Sequence, residues 1–208
     1  MNADEFVDAV RNRNKTELSR LGSSKSLYAD TEGEMEPAAV MRAAADAEHA
    51  AAETFETWAE SADGDASEVF RATADEEYDH YEQVMAEVDD HDPGETVPAI
   101  QSYLRGLDDT TERLGALVGR TLAAEKSKEQ TTGFFVGQAK PQLASTFRAL
   151  GDDLDDQIAR ATDLLAERCE SDEEWEEALT AASAAIEAAY GEYTERLESM
   201  GVNPKPVC

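Results

Sequence analysis

The sequence predicts an all-α fold of two helical hairpins joined by a long connection, with a further helix at each end of the chain. Three observations predict it. Apolar residues recur at steps of three and four through most of the 208 residues. The helical stretches are separated by short Gly-, Pro- or acid-rich breaks, except for one long break near the middle. The second hairpin also repeats the first at a fixed offset, with Phe147 lying 77 residues after Phe70.

Asp4 to Leu21 reads as a first helix, with Phe6, Val10, Leu18 and Leu21 roughly on one side and Gly22 as its terminator. The loop GSSKSLYADTEGE leads to Pro37, a residue suited to a first helical turn, and a helix from there to about Ala62. Its inward stripe reads Val40, Ala44, Glu48, Ala51, Phe55 and Trp58. The break from Ser61 to Ser67 is short enough to return the next helix antiparallel, with Phe70, Ala74, Glu77, Tyr81, Val84 and Val88 on its stripe. DDHDPGETVP, Asp89 to Pro98, is long for a connection inside a bundle unless it crosses the bundle's length, and a short helical pattern follows around Ile100, Tyr103 and Leu104.

The third long helix runs from about Thr110 to Gln138, with Leu114, Val118, Thr121, Glu125, Thr132 and Phe135 inward. Lys140 and Pro141 break it. The fourth runs from about Gln142 to Cys169 with Phe147, Leu150, Leu154, Ile158, Ala161 and Leu165 on one face. Ser171 and Glu174 form a capping box for a fifth, whose seam of Trp175, Leu179, Ala182, Ile186, Tyr190, Tyr193, Leu197 and Met200 suits helix pairing. That seam can cover the bundle or join two copies in a homo-oligomer. The domain reading is residues 1–36, an N-terminal helix and loop; 37–170, the bundle; 171–200, the C-terminal helix; and 201–208, a tail with no assignable role.

Forty-seven acidic against 18 basic residues give a net charge of −29, and only six of the basic residues are lysines. Such a surface stays hydrated at high salt and repels itself in dilute buffer, which fits a halophilic source. Disorder is disfavoured because the apolar residues keep a helical period. No run of eighteen apolar residues and no basic-then-apolar start are present, so neither a membrane span nor a secretory signal is expected, and the expected location is cytoplasmic. Cys169 and Cys208 cannot form a Cys-x-x-Cys metal site; the reduced state is expected, with a disulfide between them as the alternative.

The first 28 residues depart from the acidic balance: Arg11, Arg13, Lys15, Arg20 and Lys25 oppose Asp4, Glu5, Asp8 and Glu17. One reading is a contact arm for a partner, including nucleic acid, since basic side chains gather phosphates. The favoured reading is a helix that packs basic side chains onto its own acidic bundle.

Glu48 and Glu77 each stand where an apolar stripe calls for a core residue, and His80 shares a face with Glu77. A buried carboxylate needs a cation, a donor or a metal ion, because leaving it unpaired costs several kcal/mol or forces it to take up a proton. Glu-x-x-His on an inward face is also a ligand pair of carboxylate-bridged di-metal bundles. Without a metal, Glu48 and Glu77 share a proton or meet Arg120, and Glu125 pairs with Lys128 or an arginine. His49 and His91 read as solvated.

The repeat aligns FRATADEEYDHYEQV, from Phe70, with FRALGDDLDDQIARA, from Phe147, and the same offset carries Glu48 onto Glu125. With AEHAAAETFETWAE, from Ala47, these stretches resemble the rubrerythrin and ferritin-like superfamily over roughly Pro37 to Cys169. The resemblance implies a ferritin-like four-helix bundle, with Glu48 and Glu125 as terminal metal ligands and Glu77 with His80 as the Glu-x-x-His pair. The matching positions on the fourth helix are Leu154 and Gln157, so the resemblance implies at most one ion per chain, iron or manganese, and, if active, a non-haem metal oxidoreductase acting on oxygen or peroxide. The alternative is a metal-free binding or regulatory module acting through its basic N-terminal segment and C-terminal helix.

Overall fold

The computed structural model describes residues 1–89, 91–94 and 96–205, and the described residues are all helix, turn and loop, with no strand among them. The reading of Cys208 lies outside them. Two antiparallel hairpins form the centre. The first is α4 (Pro37–Ser61) with α5 (Asp65–Met85), and the second is α7 (Thr110–Gly137) with α8 (Pro141–Arg168). Pro37 and Pro141 each open a helix, where the missing N–H has no intrahelical partner to lose. The long connection is tied to α4 by His91, whose Nε2 lies 2.7 Å from Asp46 Oδ1, and by the Gly94 N–H, which donates to the same oxygen. His91 is therefore held by a carboxylate rather than solvated. The short helix α6 (Ala99–Arg105) follows it.

The N-terminal segment is three helices, not one: α1 (Ala3–Arg13), α2 (Lys15–Leu21) and α3 (Ser24–Asp30). The break falls at Asn14, which is buried and donates from Nδ2 to the Val10 carbonyl and to Ser183 Oγ. An amide that finds those partners competes with helix continuation. Phe6 and Val10 are fully buried in the same core as Phe55, Trp58 and Leu117, and the Phe6 ring lies 5.5 Å from that of Trp175.

Two of the five basic side chains, Arg11 and Arg13, meet acids of the chain as the favoured reading has it, and a third contacts the C-terminal tail. Arg11 pairs with Glu125, Arg13 with Glu176, and Lys25 donates to the carbonyls of Asn203 and Lys205. Lys15 and Arg20 form no ion pair among the described residues.

The C-terminal helix, α9 (Asp172–Ser199), begins with the Ser171–Glu174 capping box and lies along α7. Its seam is covered within the chain: Trp175, Leu179, Ala182, Ile186, Tyr193 and Leu197 are all buried. Of the two uses read for it, these contacts show the first, with Tyr190 and Met200 partly buried. The approach is close because α7 presents Gly115 and Gly119 there. A Cβ on either would fall 2.2 or 2.1 Å from the carbonyl oxygens of Ala178 and Ala182. Helix α7 is consequently buried on nearly all sides from Arg113 to Leu122. No described helix is long and apolar enough to cross a membrane.

Candidate functional site

Glu48 on α4 and Glu77 and His80 on α5 point into the bundle, 4 %, 0 % and 1 % exposed. Their ligand-type atoms all lie within 4.8 Å of one another. The sequence places them there because Glu48 and Glu77 sit on their helices' apolar stripes, one turn from the buried Ala51 and Ala74, and His80 shares the face of Glu77.

The charges are met mainly from α7. Arg120 grips Glu77 through Nη1 to Oε1 at 2.7 Å and Nη2 to Oε2 at 2.8 Å, a two-pronged geometry that only a guanidinium supplies. Gln157 of α8 adds a third donor to Glu77 Oε1 at 2.8 Å. Lys128 Nζ donates to Glu48 Oε1 at 2.5 Å. Burial alone would raise the Glu48 carboxyl, but the Lys128 ammonium, and after it His80, hold it well below the usual carboxylate range. Burial would lower Arg120, and the Glu77 carboxylate outweighs it and keeps the guanidinium charged.

His80 bridges inside and outside. Its Nε2 lies 3.2 Å from the exposed carboxylate of Asp153, while Nδ1 faces Glu48 Oε2 at 3.8 Å. That second separation is too long for a hydrogen bond, so the attraction there is one of charge. Burial lowers the imidazole's affinity for a proton, and Glu48 more than reverses it, so its pKa stands above the ordinary value. Glu48 Oε2 and His80 Nδ1 have no hydrogen-bond partner among the described residues.

Glu125 is not part of this group, which corrects its reading as a terminal ligand. Its side chain is 28 % exposed and pairs with Arg11 and with its neighbour Lys126. The inward residue is Lys128, three positions on, nearly one helical turn further and about 60° around the helix. Lys128 meets Glu48 and Gln157 meets Glu77 from 80 residues along the chain in both cases, three more than the interval that aligns Phe70 with Phe147. The signal that would have found Lys128 is the run Thr121, Ala124, Lys128, Thr131, Phe135, which keeps steps of three and four as well as the run through Glu125 does.

A two-ion centre does not fit these residues. Leu154 is apolar, Gln157 serves as a donor, both Glu77 oxygens are taken by Arg120, and two cationic side chains stand where ions would add more positive charge. Like unit charges 4 Å apart repel by about 4 kcal/mol at an effective dielectric of 20. What the arrangement does chemically is neutralise two buried carboxylates with two buried cations and cross-link α4, α5, α7 and α8. No family model, no curated protein and no solved structure matches the chain.

Proposed function

We propose that the chain is a ferritin-like bundle whose centre is an internal ion-pair network, and that it serves as a metal-free binding module rather than as an oxidase. One observation carries this reading: Arg120 and Lys128 supply, from within the chain, the positive charge that the Glu48 and Glu77 carboxylates require. Two antiparallel hairpins joined by a long connection, with the inward Glu77-x-x-His80 pair, support the ferritin-like and rubrerythrin-like part of the proposal. The site carries the functional reading rather than the fold, since one fold hosts many functions. The −29 charge further supports a halophilic habitat.

A second reading rests on a different observation, the partnerless atoms Glu48 Oε2 and His80 Nδ1 facing each other at 3.8 Å. One iron or manganese ion per chain would take these two as ligands, and Glu77 would join them only by giving up a prong of Arg120. Metal analysis of protein purified in high salt without chelators separates the readings. The metal-free reading expects no stoichiometric iron, manganese or zinc and a melting point that none of these ions moves. One ion per chain, lost together with its thermal shift in His80→Ala, would overturn it and install the single-ion site.

A further inference from the structure

Residues 130–151 contain no aspartate or glutamate, where the chain's average of 47 in 208 would place several, and no other stretch is as long without one. They span the end of α7, the turn that follows it and the first turns of α8. Burial does not account for the omission, because Val136, Gln138, Lys140, Gln142 and Arg148 are all exposed. Val136 is 60 % exposed, more than any other large apolar side chain among the described residues. Phe134 and Leu143, from the same hairpin end, are only partly buried.

The same end of the bundle carries the opposite charge on the other hairpin. Phe135 and Phe147 share a buried cluster with Val40 and Val84, which places the α7–α8 turn alongside the start of α4 and the end of α5. Glu34 and Glu36, just before Pro37, and Glu87, just after Met85, are exposed there. Lys140 and Arg148 pair with no acid among the described residues. One end of the molecule thus presents a bare apolar residue, two cations and a rim of carboxylates side by side.

We propose that this end is a docking surface for a second copy of the chain, the two related by a twofold axis near Val136. Such an axis sets each copy's α7–α8 turn against the other's first-hairpin end, so that Lys140 and Arg148 meet Glu34, Glu36 and Glu87 in both directions. A partner as acidic as this chain is also what the missing acids suit. Two copies of charge −29 repel wherever carboxylate faces carboxylate, and a surface cleared of them lets the copies touch. A neutral or basic partner would need no such clearing. A nucleic acid or an anionic membrane would meet the three carboxylates beside the two cations. The ion-pair network begins at Lys128, about two and a half turns back along α7 from Gly137, so the contact uses none of its residues.

The test is sedimentation equilibrium of the full chain over a wide range of protein concentration, in dilute and in molar potassium chloride. The expected result is a reversible monomer–dimer equilibrium that closes at two chains and strengthens with salt, since at molar concentration the repulsion between copies reaches only about 3 Å. Val136→Glu should weaken dimerisation about tenfold or more, and Lys140→Glu, which turns a cation into a like charge, should weaken it too. Thr57→Glu adds a negative charge toward the far end of α4 and should leave the equilibrium unchanged. All three positions are exposed, and a melt of each variant checks that it is folded. A chain that stays monomeric in molar salt, a mass that climbs beyond two chains, or association that fades as salt rises would overturn the proposal. So would dimerisation untouched by Val136→Glu or by Lys140→Glu, or weakened equally by Thr57→Glu.

Discussion

Arg120 holds Glu77 with two parallel hydrogen bonds of 2.7 and 2.8 Å inside a core where the arginine is 5 % and the carboxylate 0 % exposed. Removing one member of such a pair strands the other's charge away from water, and this costs far more than the pair itself contributes. Arg120→Met should lower stability by about 3–5 kcal/mol, whereas Glu77→Leu combined with Arg120→Met should recover most of that loss. Glu77→Gln should also destabilise, because it leaves the guanidinium without its counter-charge. Urea unfolding of Arg120→Met, Glu77→Leu and the double variant decides the matter, and additive losses would contradict the pairing.

The contact of α7 with α9 should be equally intolerant of a methyl group. At Gly119 a Cβ would lie 2.1 Å from the Ala182 carbonyl oxygen, and the obstacle is backbone, which cannot swing aside. Gly119→Ala therefore has to push the helices apart, against the small gain in helix propensity that alanine brings. A net loss of about 1–3 kcal/mol is expected, equivalent to roughly 2–4 °C of melting temperature per kcal/mol for a chain of this size. Gly133→Ala, on the same helix with nothing near its Cβ, should be neutral or stabilising.

Much of this was legible in the sequence because the relevant signals are local. Pro37 and Pro141 open helices, Ser171 with Glu174 caps one, and Glu48, Glu77 and His80 declare themselves as charged or polar residues on apolar stripes. Arg120 could be named as a partner of Glu77 for the same reason, since an inward acid needs an inward base. Lys128 and Glu125 could not be told apart. Helix α7 packs on two sides, so its burial from Arg113 to Leu122 erases the single stripe that would fix the register of the residues that follow. The break at Asn14 depends on Ser183, a partner 169 residues away, and no local pattern encodes that.

The N-terminal helices belong to the core, and their apolar residues should matter more than their charges. Phe6 is fully buried against Trp175, so Phe6→Ala should cost about 3–5 kcal/mol. Arg13→Ala removes a pair whose members are 41 % and 57 % exposed, and such pairs contribute about 0–1 kcal/mol. Thermal melts of both variants give the comparison. An Arg13→Ala loss equal to that of Phe6→Ala would contradict packing as the segment's main role.

The −29 charge should make the fold depend on screening. At low ionic strength the acidic surface repels itself over tens of ångströms, and at molar salt the Debye length falls to about 3 Å. Helicity and melting temperature should therefore climb as potassium chloride is raised from dilute to molar concentration. The Arg120–Glu77 pair lies in the core and is screened much less, so the penalty for Arg120→Met should persist at both ends of the series. A melt that ignores salt would contradict the halophilic reading.

Asp30 should give the fold an unusual dependence on pH. It lies against Arg196 of α9, and burial raises its carboxyl from 3.8 to about 6 despite the attraction of Arg196, with Glu192 adding to the rise and Ser26 opposing it. Between those two values the folded chain holds a proton that the unfolded chain has released. Stability therefore falls as pH rises through this window, and the penalty is complete above it. This is the opposite of the usual salt-bridged aspartate, whose contribution is lost on acidification. Asp30→Asn removes the titration, so it should match the parent below pH 4 and exceed it at pH 7, the gap opening between about 4 and 6. The size is tempered because the side chain is 39 % exposed and solvent screens it. Urea unfolding of the two proteins across that range reads the effect directly. An Asp30→Asn protein less stable than the parent at pH 7 would mean that attraction to Arg196 outweighs burial, reversing the sign.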